Sequence, residues 1–201
     1  MYCNHQPLIR HHVQDRGPDG LVEVAAFVLF TIRVPLERAV EDFQEWKRDG
    51  SVHQLWGRKL DALQEFQRHA EERKATLDRL YPDRDAMLVE VCRWTGFAPA
   101  KGGFLLQLVY GVSGCLDSHN LKAHGYSGKE FRIDGIKSPL TLQRKVQAYH
   151  NAVDLAGGTE ALWNSWCMLV YGLRPEVWAD AHEVSAAHAY AVTGEDQDIP
   201  F

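Results

Sequence analysis

Cysteine is scarce and scattered: the four in this 201-residue chain, Cys3, Cys92, Cys115 and Cys167, lie far apart. That spread excludes a cysteine-ligated iron-sulfur cluster and paired zinc knuckles. Three of the four sit in apolar surroundings such as Leu88-Val-Glu-Val-Cys92, the setting of reduced core thiols. Zinc-ligand spacing, a P-loop and a dinucleotide-binding glycine fingerprint are also missing, so neither a metal nor a nucleotide cofactor is expected. No apolar run reaches bilayer length. The most apolar segment, Leu21 to Ile32, is interrupted by Glu23 and ended by Arg33, and reads as a buried helix. Met1 to Asp19 is polar and His-rich, without the apolar stretch of a secretory signal. A cytosolic protein with no membrane partner is the expectation. No stretch alternates with period two for long enough to demand a sheet, and there is no internal repeat.

What remains is helical. Apolar residues make up 45% of the chain and charged residues 24%, enough for one sizeable core. The expected organisation is a polar N-terminal tail over residues 1–20, with His11 and His12 in it, followed by a single helical domain over 21–201. Leu21 to Arg33 and Leu36 to Arg48 read as two helices parted at Pro35, the second closed by Asp49-Gly50. Leu55, Leu60, Leu63, Phe66, Ala70, Leu77 and Leu80 recur near the helical period and predict one long helix stopping at Tyr81-Pro82. Asp83 or Asp85 caps the next, which ends near Thr95-Gly96. Lys101 to Tyr110 is apolar and helical, and Gly111 to Gly114 is a turn. His124 to Pro139 is loop-rich. Pro139 starts a helix to about Ala156, Thr159 caps another, and Asp180-Ala-His-Glu183 has capping-box spacing before a last helix. The fold class expected is all-α.

A net charge of −5 excludes a protein that coats nucleic acid, yet the charge is unevenly spread. Lys101 to His150 holds seven Lys and Arg against three Asp and Glu, the footprint of one basic face on an acidic protein. The same segment holds the most distinctive passage, Thr95-Gly-Phe-Ala-Pro-Ala-Lys-Gly-Gly-Phe-Leu-Leu-Gln-Leu-Val-Tyr-Gly-Val-Ser-Gly-Cys-Leu-Asp-Ser-His119. Helix, glycine hairpin, a helix opening with lysine, glycine, and an Asp-Ser-His triplet follow one another. Read from the residues alone, this order serves either two core helices with Asp117 as an ordinary helix cap or a DNA-directed site.

The order resembles the helix-hairpin-helix DNA glycosylase superfamily, whose hairpin reads Leu-Pro-Gly-Val-Gly-x-Lys and whose catalytic aspartate opens Val-Asp-Thr-His. The resemblance covers about residues 83–125. It implies a helix-hairpin-helix glycosylase-like domain in which Gly96 and Ala98 meet the phosphates of double-stranded DNA through the hairpin, while an adjacent pocket takes an everted base. Asp117 is then the catalytic carboxylate, and Lys101 either a Schiff-base nucleophile or a phosphate contact. The second hairpin glycine is replaced by Ala98-Pro99, and proline has no N-H to offer a phosphate.

Lys101-x-x-Phe, Gly-Cys-Leu-Asp-Ser-His-Asn120, a later Gly-Gly-Thr-Glu-x-Leu-Trp and a final Ser185-x-x-His188 are closer to phage proteins related to glutamyl/putrescinyl-thymine pyrophosphorylases. Those are amino acid:DNA transferases of thymine hypermodification. This resemblance implies that an amino acid such as glycine displaces pyrophosphate from pyrophosphorylated 5-hydroxymethyluracil in DNA, in the host cytoplasm, with base excision by a glycosylase and a non-catalytic DNA-binding module as alternatives. In the transferase reading Asp117, Lys101 and His119 are the catalytic candidates, Asn120, Lys122, Ser185 and His188 line the substrate, and Arg144 and Lys145 meet DNA phosphates. Each has an ordinary reading as well: helix-start hydrogen bonding for His119 and Asn120, packing for Ser185 and His188, a solvated face for Arg144 and Lys145. Trp163 and Trp166 share a face that fits core packing better than base stacking.

Overall fold

The computed structural model describes residues 6–50, 52–53, 55 and 57–173. Among them the chain is all-α, with no strand. The hydrophobic centre is α2 (Pro18–Phe30), which Pro18 opens at its first position and whose residues from Gly20 to Phe30 are all buried. An all-round apolar helix needs a complete shell. Here α1 (Gln6–Arg16), α3 (Leu36–Asp49), α4 (Arg58–Arg68), α5 (Ala70–Leu80) and α7 (Pro99–Tyr110) supply it.

The first difference from expectation is α1. Residues 6–16 form a helix rather than a polar tail, with Ile9 and Val13, one turn apart, buried in the core. The reason lies in Glu23, a carboxylate on the buried surface of α2. His12 approaches it at 2.9 Å, Arg16 at 3.2 Å and Lys47 of α3 at 3.2 Å. Burial pushes its pKa up, but the His12 hydrogen bond and the Lys47 and Arg16 charges hold it below the usual 4.5. A buried charge without partners is very costly, so α1 is bound through its polar residues, which composition alone reads as solvent-seeking.

The second difference is the predicted long helix, which is two: α4 and α5 break at His69, whose φ of −115° leaves the helical region. Across the break Arg73 pairs with Glu65 at 2.6 Å and lies over the rings of Phe66 and Trp94 at 4.8 and 4.9 Å. The bend lets Ala62, Leu63 and Phe66 of α4 and Leu77 of α5 all bury against the core, which one straight rod does not.

A second group of helices meets the first through α6 (Arg84–Val91), which packs on α5, α7 and α9 (Pro139–Leu155). Asp83 caps α6, accepting from the backbone N-H groups of Asp85 and Ala86. The helix ends at Cys92, short of the expected Thr95-Gly96, because Trp94 and Phe97 turn inward onto Phe66. Pro139 does open α9, with Ser138 as its cap. α10 (Gly158–Leu173) follows and packs on α9. Between α8 (Ser118–Ala123) and α9 only a single 3-10 turn, Lys129–Phe131, is regular. The capping box at Asp180 to Glu183 lies outside the described residues.

Candidate functional site

The segment from Ser113 to Leu116 is irregular yet buried. Such a segment must find partners for every peptide group without a helix or sheet to provide them. Side chains from surrounding helices do so. The Tyr149 hydroxyl of α9 donates to Gly114 O at 2.7 Å and accepts from Leu116 N-H at 2.9 Å. Gln107 of α7 accepts from Cys115 N-H at 3.1 Å, and its own amide donates to Thr159 O at 2.8 Å. Asn120 of α8 donates to Cys115 O at 2.8 Å and accepts from the Ser165 hydroxyl at 3.3 Å. Gly103 of α7 is what lets the loop in: a Cβ there would stand 2.4 Å from Gly114 O.

At the loop's start Ser113 adopts a left-handed backbone with φ of 64°, a strain of about 1–3 kcal/mol for a non-glycine residue. It is held by His150, whose Nε2 lies 2.8 Å from the Ser113 hydroxyl while Nδ1 lies 2.5 Å from Asp85 of α6. The sequence Asp-His-Ser has the connectivity of a hydrolytic triad. Ser113 is 0% exposed and His150 1%, so no substrate reaches the hydroxyl and the three form a strut between α6, α9 and the loop. Burial, opposed by Asp85, holds the His150 pKa below 6.5; the neutral ring then donates from Nδ1 to Asp85 and accepts the Ser113 proton at Nε2. Because the unfolded chain takes up this proton more readily, the strut's contribution is complete above about pH 6.5 and is lost as pH falls below it. Urea midpoints measured from pH 7.5 to 5.5 should decline in the wild type, and His150→Gln should flatten that decline while lowering all midpoints.

The braced loop ends at Asp117, which is half-buried and caps α8 by accepting from Asn120 N-H at 2.9 Å. Lys101 lies in the first turn of α7. The Cys115 thiol, pushed up to about 12 by burial, is pulled back by the Lys101 charge and raised further by that of Asp117, so both charges act on one buried sulfur. The Lys101 ammonium donates to the Thr31 hydroxyl at 3.0 Å, at the end of α2. Lys59, in the first turn of α4, donates to the neighbouring Ile32 O at 2.5 Å. Burial, then the charges of Lys101 and Arg33, hold the Lys59 pKa below 10.5 against the pull of Asp42.

Of the predicted residues the structure joins Asp117 and Asn120 through a hydrogen bond, while Lys101 binds Thr31. Asn120 is buried and its amide is committed to the loop. Gly96 and Ala98 are exposed at the hairpin between α6 and α7, and Gly96 has φ of 85°. Lys122 and Arg144 are exposed, whereas Lys145 donates to Glu130 O. The side chains of His119 and Trp166, and all of Ser185 and His188, lie outside the described residues; Trp163 is buried in the core. Sequence reasoning missed Lys59, Asp85, Gln107, Ser113, Tyr149 and His150. A lysine in a helix's first turn, where acids are favoured, was a legible sign for Lys59. The brace joins residues up to 65 apart in sequence and left no local sign.

An open groove of about 440 Å³ between α5, α6 and α9 is lined by Arg79, Asp83, Asp85, Glu90 and Arg93. It touches the outer end of the strut and not Asp117. Among the described residues no helix is long and apolar enough to cross a membrane, and no three His, Cys, Asp or Glu side chains are grouped to hold a metal. Comparison with protein-family models, curated proteins and solved structures returned no match.

Proposed function

We propose that the chain is a DNA-base-modifying enzyme of the helix-hairpin-helix glycosylase type that transfers an amino acid such as glycine onto pyrophosphorylated 5-hydroxymethyluracil. One observation carries this reading: a strained, buried loop whose peptide groups are met by side chains from α7, α8 and α9 delivers one partly exposed carboxylate, Asp117. Functional groups need such support, because small displacements of a reacting group cost rate steeply. The exposed hairpin and the nearby lysines fit phosphate-bearing DNA.

In this reaction the Asp117 carboxylate binds the donor's ammonium and accepts one of its protons. The freed amine nitrogen bonds to the exocyclic methylene carbon of the everted base, the carbon-oxygen bond to pyrophosphate breaks with its electron pair on oxygen, and pyrophosphate leaves. Duplexes bearing uracil, 5-hydroxymethyluracil or its pyrophosphate ester, incubated with and without glycine and analysed by nucleoside mass spectrometry, test the reading. A glycine adduct on the pyrophosphorylated base alone, with pyrophosphate released, is expected. Abasic sites without adduct turn the assignment to a glycosylase, and unchanged DNA in every case removes the enzymatic reading.

A further inference from the structure

We propose that Lys59 and Lys101, with Arg33 beside them, form an oxyanion-binding site at the end of α2 that takes a phosphate-type group; its ligand identity rests on the function just proposed. The two ammonium groups come from different helices and terminate on consecutive residues, Lys101 on the Thr31 hydroxyl and Lys59 on Ile32 O. Both are partly buried. Each has one described hydrogen bond to a neutral acceptor, and an ammonium carries three donors, so donors are left over on both.

Their placement runs against helix electrostatics. Lys59 is the second residue of α4 and Lys101 the third of α7, where the helix end is already positive and acidic side chains are preferred. The first turn of α7 has no acidic residue, that of α4 has Asp61 alone, and neither Gly57 nor Ala98 caps its helix with a side chain. Two helix starts and two lysines therefore direct positive charge at one spot, joined by Arg33 with its left-handed backbone, φ 57°. The carboxylate whose field reaches Lys59 is Asp42, and it is already ion-paired with Arg38 at 2.7 Å. The end of α2 offers only partial negative charge in return. Gathering partly buried like charges is unfavourable unless an anion joins them, and a multiply charged oxyanion satisfies the spare donors with charge-assisted bonds.

Two sources of this chemistry exist, a DNA backbone phosphate and a departing pyrophosphate. The test titrates the full-length protein with inorganic pyrophosphate by calorimetry and by thermal unfolding, against sodium chloride at matched ionic strength, and measures a short unmodified duplex by fluorescence anisotropy. Pyrophosphate is expected to raise the melting temperature where chloride does not. Lys59→Gln and Lys101→Gln should each weaken it by about tenfold or more, Lys59→Arg should retain it, and Arg33→Gln, an exposed change that leaves folding intact, should weaken it several-fold. Loss of pyrophosphate binding with duplex affinity kept assigns a leaving-group site. Joint loss, with pyrophosphate displacing the duplex, assigns a backbone-phosphate site. Both support the proposal. It is overturned if pyrophosphate does no more than chloride, or if Arg33→Gln and the folded lysine variants bind as the wild type does, which is the result expected of lysines that merely cap α2. Pyrophosphate binding without amino acid transfer would keep the site and reject the transferase; transfer with unaltered binding in the variants would do the reverse.

Discussion

Asp117→Asn should lower turnover by about 10²–10⁴-fold, the range for losing a positioned acid-base group, while folding stability stays within roughly 0.5 kcal/mol of wild type. The two halves of this expectation come from different properties of one side chain. As a cap, Asp117 accepts from Asn120 N-H through Oδ1, and asparagine caps as well as aspartate because its amide oxygen occupies the same position. As a reacting group, it must carry negative charge and a proton-accepting oxygen, and asparagine has neither. Asp117→Ala supplies the complement: it removes the cap as well, and should cost about 1 kcal/mol of stability beyond the same loss of turnover. Chemical denaturation and the nucleoside assay on both variants separate the roles. Wild-type turnover in Asp117→Asn would reduce Asp117 to a helix cap and assign the proton-accepting role to another group.

The parts of this molecule that were legible in sequence are those whose causes are local. Pro139 and Gly50 sit where a helix start and a helix stop require them, and the apolar run of α2 does become the buried centre. Asp117 stood out because a short motif surrounds it. The misreadings share one cause, interactions between residues distant in the chain. α1 looks polar until Glu23 is seen to need His12 and Arg16. The α4–α5 periodicity is continuous, and the break at His69 follows from packing. The loop brace is least legible of all, since Tyr149 and His150 occupy an ordinary amphipathic helix and only the fold points them at Gly114 and Ser113. Lys101 was singled out with Asp117, but its partner in charge, Lys59, lies on a helix that no motif connects to it.

Tyr149→Phe should be the most destabilising single-atom change in the site. Removing one oxygen deprives two buried peptide groups at once, Gly114 O and Leu116 N-H. An unsatisfied buried donor or acceptor costs about 1–3 kcal/mol, so a loss of roughly 2–6 kcal/mol is expected before any relaxation. Little relaxation is open to the loop. Gly114 is closed in by Gly103 of α7 and by Leu162, and the ring itself is packed edge-on against Phe131 with centroids 5.4 Å apart. Phenylalanine keeps that packing, so the change reads hydrogen bonding rather than volume. The effect extends to function through geometry: Leu116 directly precedes Asp117, and a loop released at Leu116 no longer fixes the carboxylate. In conditions where Tyr149→Phe is still folded, for example at low temperature, turnover should fall while the pyrophosphate affinity at Lys59 and Lys101 is retained, because those lysines are anchored on α2 and not on the loop. Undiminished turnover in the folded variant would mean that the brace supports the core alone. A parallel loss of turnover and pyrophosphate binding would mean instead that the loop and the lysines move as one unit.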